Sequence, residues 1–241
     1  MLRNLFVVAA AGLIAGTLGV TNAHAQTAAA TEWEAGKHYF VLDPPQPTSS
    51  GDKIEVTEVF SYGCPACNFS YPFVEKLKKD LPPNAVMNYV PASFNPAEDW
   101  PMFQRAYLAA KALGVADKTH GAMFDAVWKT GELATMDKAA NRLKNPQPSI
   151  EDAAQWYAKN GGVKAEDFLA TANSFTINTR MKQSDAYIKA VGVEQTPTII
   201  VNGKYRITTS AAAPGASGWP EAWAKTEQLV LFLVRKESGG K

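Results

Sequence analysis

The stretch Glu58 to Ser70, EVFSYGCPACNFS, carries the only two cysteines of the chain, Cys64 and Cys67. Thiols three positions apart can close a disulfide, open it, or pass it to another thiol. As a structural staple the pair is a poor choice, because closing so short a loop removes little chain entropy. As a redox couple it is well placed. Proline is favoured at the first position of a helix, where its missing N–H costs nothing. With Pro65 there, Cys64 is the N-cap and Cys67 falls inside the first turn. Residues i and i+3 on a helix stand about 5–6 Å apart, within the Cα range that a disulfide accepts. The sulfurs can therefore bond or part with little backbone movement. They are not equivalent. Cys64 meets unpaired N–H groups and the positive end of the helix, which favour its thiolate. A stable thiolate is a good leaving group and makes the disulfide more oxidising. Cys67, on the inner side of the turn, is expected to be buried and to act second.

The flanking residues must hold this turn. KIEVTEVF, residues 53–60, reads as a strand by its β-branched content and alternation. One parity carries Ile54, Val56, Glu58 and Phe60, so Glu58 shares its face with three large apolar residues. Residues 68–80 read as a helix, with Pro72 predicting a kink. AVMNYVP, residues 85–91, is a second strand. Residues 98–190 read as helical throughout, with Asp117 as a cap of one helix and Ser149 at the start of another. Strand character returns in TPTIIVN, residues 196–202. Asn202-Gly203 is a hairpin signal, KYRIT its partner strand, and residues 220–236 a closing amphipathic helix. The fold class is thus α/β, with β elements flanking a helical block of about 90 residues, a length that the sequence sets directly.

The N-terminus has the shape of a secretory signal. Arg3 precedes an apolar, uncharged run over residues 5–20, and Ala23-His24-Ala25 offers a small-x-small cleavage pattern. Residues 1–25 are expected to be removed on export. The remaining chain suffices for one core, or one core with an inserted subdomain. The charges nearly balance, 24 basic against 23 acidic. Nothing here points to nucleic acid or an anionic membrane surface as partner. Outside the cytosol disulfides form and persist, which suits a single redox pair. No metal is expected: a closed zinc site wants four Cys or His ligands, and only His38 and His120 follow the leader. Both read as structural or surface residues, and Trp100, Trp128 and Trp156 as core or groove lining. No cofactor motif is present.

At this point the sequence resembles the thioredoxin superfamily and, within it, the DsbA family of the periplasm. Three features carry the likeness: EVFSYGCPAC, with an acid six places before the first cysteine; GVEQTPTIIVNGKY, residues 192–205; and the helical block between them. The resemblance implies a thioredoxin fold, a central mixed sheet flanked by helices, with an inserted all-helical subdomain. It divides the chain into 26–97 and 190–241 as the two thioredoxin-like parts and 98–189 as the insertion. It implies that Cys64 is attacked first and Cys67 resolves, that Pro197 is cis beside the pair, and that Thr196 pairs with an extended substrate strand. Pro65 and Ala66 complete the substrate-binding surface. Glu58 becomes the buried carboxyl beneath the pair, with a raised pKa, able to shuttle the proton of Cys67. The implied partners are reduced, folding exported proteins and a DsbB-like, quinone-linked membrane protein that restores the disulfide. The chain is expected to be a monomer without a cofactor.

Two departures bear on the direction of electron flow. Ala66 stands where the best-known DsbA motif has histidine, which helps stabilise the thiolate. Thr196 stands where valine is common and also occurs in isomerases and reductases of the family. A disulfide oxidase is the leading expectation. The alternatives are an isomerase or reductase, and a noncatalytic peptide-binding module with a structural disulfide. Dimeric isomerases carry an N-terminal dimerisation domain, for which the stretch from Gln26 to the first strand leaves no room.

Overall fold

The computed structural model describes residues 33–239; the leader expected over residues 1–25 lies outside them. The run of β-branched residues before the cysteines forms β2 (Ile54–Phe60), with the short β1 (Phe40–Val41) ahead of it. Helix α1 (Pro65–Asp80) and strand β3 (Ala85–Pro91) follow. A helical stretch then comprises α2 (Trp100–Ala112), α3 (Ala116–Trp128), α4 (Ile150–Gly161), α5 (Ala165–Ala172) and α6 (Phe175–Ala190). Between α3 and α4 lie the two-residue strands β4 (Met136–Asp137) and β5 (Arg142–Leu143). Strands β6 (Thr198–Val201) and β7 (Tyr205–Thr208), the short α7 (Thr209–Ala212) and α8 (Trp219–Ser238) close the chain.

The main sheet has the order β1-β7-β6-β2-β3. β2 runs parallel to β3 and antiparallel to β6, so it is paired on both edges. All seven of its residues are buried. Alternation alone distinguished the face of Ile54, Val56, Glu58 and Phe60; the structure also buries Glu55, Thr57 and Val59. Helices α2 and α6 pack against β3, and Lys111 of α2 reaches Asn88 on that second face. A buried carboxylate there must be fully hydrogen-bonded. Glu55 accepts from the Ser49 N–H and from the side chains of Ser49, Ser50, Thr57 and Asn88.

Several local signals act as expected. Cys64 caps α1, Pro65 opens it, and the helix continues through Pro72 to Asp80. Ser149 and Asp152 form a reciprocal capping box at the start of α4. Asn202 and Gly203 take positive φ values of 51° and 64° and turn β6 into β7. Glu237 at the end of α8 accepts from Asn202, Lys204 and Tyr205, fastening that hairpin to the helix.

Three expectations need correction. Residues 98–190 are not helical throughout. The carboxylate of Asp137 accepts from the backbone N–H groups of Ala139 and Ala140, which diverts them from a helix ladder, and Asn141 takes a positive φ of 49°. The segment therefore folds as the β4–β5 hairpin. Asp117 is not a cap: Val115 holds that position without a side-chain bond, and Asp117 sits in the first turn of α3. There its charge still suits the positive helix end. Finally, β6 begins at Thr198 rather than Thr196, because the two preceding residues belong to a turn in which Thr198 Oγ1 donates to the Gln195 carbonyl. Among the described residues no helix is long and apolar enough to cross a membrane.

Candidate active site

The chain leaves β2 at Phe60 and passes through three buried residues, Ser61, Tyr62 and Gly63, before α1 begins. These three are held at many points. The Cys64 N–H donates to the Ser61 carbonyl, and the Gly63 N–H to Ser61 Oγ. The Tyr62 carbonyl accepts from Trp128 Nε1 at 2.8 Å, and its hydroxyl shares a 2.9 Å hydrogen bond with His120 Nδ1. Both partners belong to α3. His120 is buried among aromatic rings, its ring centroid 5.0 Å from Phe60 and 4.6 Å from Tyr89. Burial drives its pKa down to about 3, so it stays neutral. Gly63 admits no side chain: a Cβ there would lie 2.6 Å from Trp100 Nε1. His120, Trp100 and Trp128 are thus structural, as expected, and they shape the turn that presents the thiols.

The cysteines are in the dithiol form. Cys64 is 4 % exposed and Cys67 wholly buried, so only the first can meet another protein's sulfur. The Cys67 N–H donates to Cys64 Sγ at 3.3 Å, the capping bond of α1. The Cys64 thiol donates to the Thr196 carbonyl at 3.4 Å. Hydrogen bonding from the Cys67 thiol is the main influence that lowers the Cys64 pKa to about 6, with burial opposing it. The Thr196 hydroxyl and the N–H groups of Cys67 and Ala66 lower it further. That hydroxyl is buried and has no conventional hydrogen-bond partner, which leaves it free to turn toward a thiolate. Burial pushes the Cys67 thiol up, and the bond to Cys64 and the charges of Cys64 and Glu58 add to the effect.

Pro197 is buried, and the Thr196–Pro197 peptide bond is cis. Pro65 is exposed and Ala66 half-buried beside Cys64. Glu58 is 3 % exposed. Burial raises its pKa well above the usual carboxylate range, followed by the charges of Cys64 and Glu75. All seven residues singled out from the sequence therefore belong to one neighbourhood. The anchors of Tyr62, and Tyr89 and Glu75 beside Glu58, carry no signal in the local sequence. An aromatic patch near the thiols was likewise not foreseen. Phe69 is half-exposed and packs against Trp219 at 5.4 Å. Trp219 borders a groove of about 360 Å³ lined by Thr209, Ala213, Gly215 and Ala222. Phe69 and Trp219 lie 150 positions apart along the chain, so only helical spacing around Phe69 hinted at the patch.

Comparison with known proteins agrees with this geometry. The Thioredoxin family matches over residues 51–214. The thiol:disulfide interchange protein DsbA of Pseudomonas aeruginosa is 32 % identical over 98 % of this chain and 97 % of its own. That of Pseudomonas syringae pv. tomato is 34 % identical over 98 % and 96 %. The crystal structure of Pseudomonas aeruginosa DsbA superimposes with a TM-score of 0.70 at 32 % identity, covering 88 % of this chain and 97 % of that one. A capped Cys64, a buried Cys67 and this likeness along nearly the whole length lead to one conclusion: the chain belongs to the DsbA family of thiol:disulfide oxidoreductases and has their thioredoxin fold.

Proposed function

We propose that this oxidoreductase works in the periplasm as a disulfide donor to folding exported proteins. The observation that carries the reading is the inequality of the two thiols. Moving a thiol from the ordinary 9 to about 6 favours its thiolate by on the order of 4 kcal/mol. The thiolate belongs to the dithiol form, so that form is stabilised and the disulfide is a ready oxidant. A substrate thiolate attacks Cys64 Sγ, the bond to Cys67 breaks, and a mixed disulfide forms. Cys67 leaves with the electron pair and takes a proton from Glu58. A second substrate thiolate then attacks the mixed disulfide and releases Cys64 as its stable thiolate.

Pro197 and the backbone of Thr196 give an extended substrate a strand edge to pair with, and Pro65 and Ala66, next to Cys64 along the chain, add to the surface it meets. The Trp219 groove and Phe69 offer apolar contacts to the same segment. A DsbB-like, quinone-linked membrane partner restores the disulfide, and the protein acts as a monomer. The leader, residues 1–25, directs export, and residues 98–189 are an insertion between thioredoxin-like parts 26–97 and 190–241. One observation favours a second reading as isomerase or reductase: Ala66 places no cation beside the thiolate. The test is the redox potential measured together with the rate of oxidation of a reduced peptide. A potential near that of protein disulfide isomerase or above, with rapid peptide oxidation, supports the donor. A thioredoxin-like potential with slow oxidation supports the reductase.

A further inference from the structure

On the side of the sheet that carries Glu55, helices α2 and α6 and strand β3 border a cleft of about 580 Å³. That volume is within the range of sites that hold a small organic molecule. Arg180, Gln183, Ser184 and Tyr187 of α6 line it. Their i, i+3, i+4, i+7 spacing is one face of a helix. A helix face directed at its neighbours is ordinarily apolar, but this one is a row of hydrogen-bonding groups. Leu108, Lys111 and Ala112 face it from α2, again at helical spacing. Val90 and Pro91 of β3 extend the apolar side. None of Cys64, Cys67, Glu58, Thr196 or Pro197 lines the cleft.

Charge decides what such a cleft holds. Lys111 Nζ donates to Asn88 Oδ1 at 3.0 Å, and Asn88 Nδ2 donates to Glu55 Oε1 at 3.3 Å. The ammonium is thereby tethered at the cleft with donors to spare. The Glu55 carboxylate spends both oxygens on Ser49, Ser50, Thr57 and Asn88. Among the described residues neither Lys111 nor Arg180 forms a salt bridge. Partial burial lowers the Lys111 pKa; the charges of Glu55 and Asp117 oppose this, and that of Arg180 adds to it. Asp117 shares a separate cleft with Lys53 and Lys78, and Asp185, on α6, is engaged by Ser93 and Gln104. Two cations against the one charge of Glu55 leave a single positive charge to be balanced.

We propose that this cleft binds a small amphipathic carboxylate, its charged end between Lys111 and Arg180 and its apolar body against Val90, Leu108 and Ala112. Arg180 offers a planar fork that matches a carboxylate, and Lys111 a point charge. Gln183, Ser184 and Tyr187 supply further donors. The inference does not rest on the donor role, because the site shares no residue with the thiols.

The experiment titrates isotope-labelled protein in its disulfide form with octanoate, octanamide and acetate, and follows the backbone amide resonances. Octanoate is expected to give saturable shifts at Asn88, Ser184 and Tyr187. Octanamide, neutral and of nearly the same shape, is expected to bind about tenfold more weakly. Acetate, without the apolar body, binds more weakly again. Arg180→Gln and Lys111→Gln, both at exposed positions, are each expected to weaken octanoate about tenfold and to leave octanamide unchanged. A merely structural effect would weaken both ligands alike. Equal affinity for acid and amide, unaltered octanoate binding in either variant, or shifts confined to Phe69 and Trp219 beside the thiols overturns the site. The absence of saturable shifts overturns it as well.

Discussion

The backbone N–H of Cys67 points at the sulfur of Cys64 from 3.3 Å, so the resolving residue helps to hold the charge of the attacking one. Linkage gives this contact a pH signature. The folded pKa of Cys64, about 6, lies below the ordinary value of 9. A depressed pKa contributes stability that is complete above the unfolded value and is lost as pH falls through the folded one. The dithiol form is therefore expected to gain stability over the disulfide form as pH rises from 6 to 9, and to lose that advantage below 6. Denaturant unfolding of both forms across this range checks it. Thiolate ultraviolet absorbance should titrate with a midpoint near 6, and a midpoint near 9 would remove the basis of the donor reading.

Ala66 sits between the cysteines, and its N–H already favours the Cys64 thiolate. Ala66→His adds a ring that can carry positive charge next to the helix N-terminus and the sulfur. The expected result is a Cys64 pKa lower by about one unit. That corresponds to about 1.4 kcal/mol and, for a two-electron couple, a potential higher by about 30 mV. Equilibration with glutathione buffers measures it. An unchanged potential would show that the backbone donors have already saturated the sulfur.

Glu58 presents the reverse balance. A buried carboxyl with a raised pKa and no stabilising hydrogen bond is a cost to the fold. Glu58→Leu fills similar space with apolar atoms among Val56, Phe60 and Tyr89. It is expected to stabilise the protein by about 1–3 kcal/mol and to slow the steps in which Cys67 gains or loses a proton. Melting temperature and single-turnover exchange read the two effects separately. A variant that is less stable, or equally fast, contradicts the assignment.

Glu55 and His120 set the acid limit of the fold. The Glu55 pKa is lowered on balance: burial raises it, but hydrogen bonds from Ser50, Ser49 and Thr57 outweigh that. Its contribution is present above the ordinary 4.5 and is lost as pH falls through the folded value. His120 titrates near 3 when folded and near 6.5 when unfolded, so the unfolded chain takes up the extra proton below 6.5 and stability falls there too. Glu55→Gln is expected to cost about 2–4 kcal/mol at neutral pH and less at pH 3. Urea unfolding from pH 3 to 7 tests this, and a cost independent of pH would contradict a charged Glu55.

How much of this was legible beforehand follows the range of the interactions. The bounds of β3, the Cys64 cap, the Ser149 capping box and the Asn202-Gly203 turn depend on neighbours a few residues away. Each could be read from spacing. Glu58 was legible because strand parity placed it among apolar residues. Burial of the other face, Glu55, Thr57 and Val59, depends on pairing at both edges of β2 and on α2 and α6 packed against the neighbouring β3, which no local window contains. The β4–β5 hairpin escaped because its signal is one side chain, Asp137, capturing two N–H groups amid good helix formers. The grip of His120 and Trp128 on Tyr62 spans more than fifty residues and leaves no local trace.

The same grip gives a last expectation, at Gly63. Its backbone is not in the left-handed region, so the requirement for glycine is steric alone. A methyl group there would lie 2.6 Å from Trp100 Nε1 and 3.5 Å from Phe103. Trp100 is itself buried and cannot swing out without opening the core. Gly63→Ala is therefore expected to cost about 1–3 kcal/mol and to displace Cys64, the next residue, from its cap. Trp100→Phe removes the indole N–H edge that meets the methyl. Combined with Gly63→Ala, it should recover part of both stability and exchange rate, giving a coupling energy of about 0.5–3 kcal/mol. Strict additivity of the two substitutions would show that Trp100 does not shape the turn.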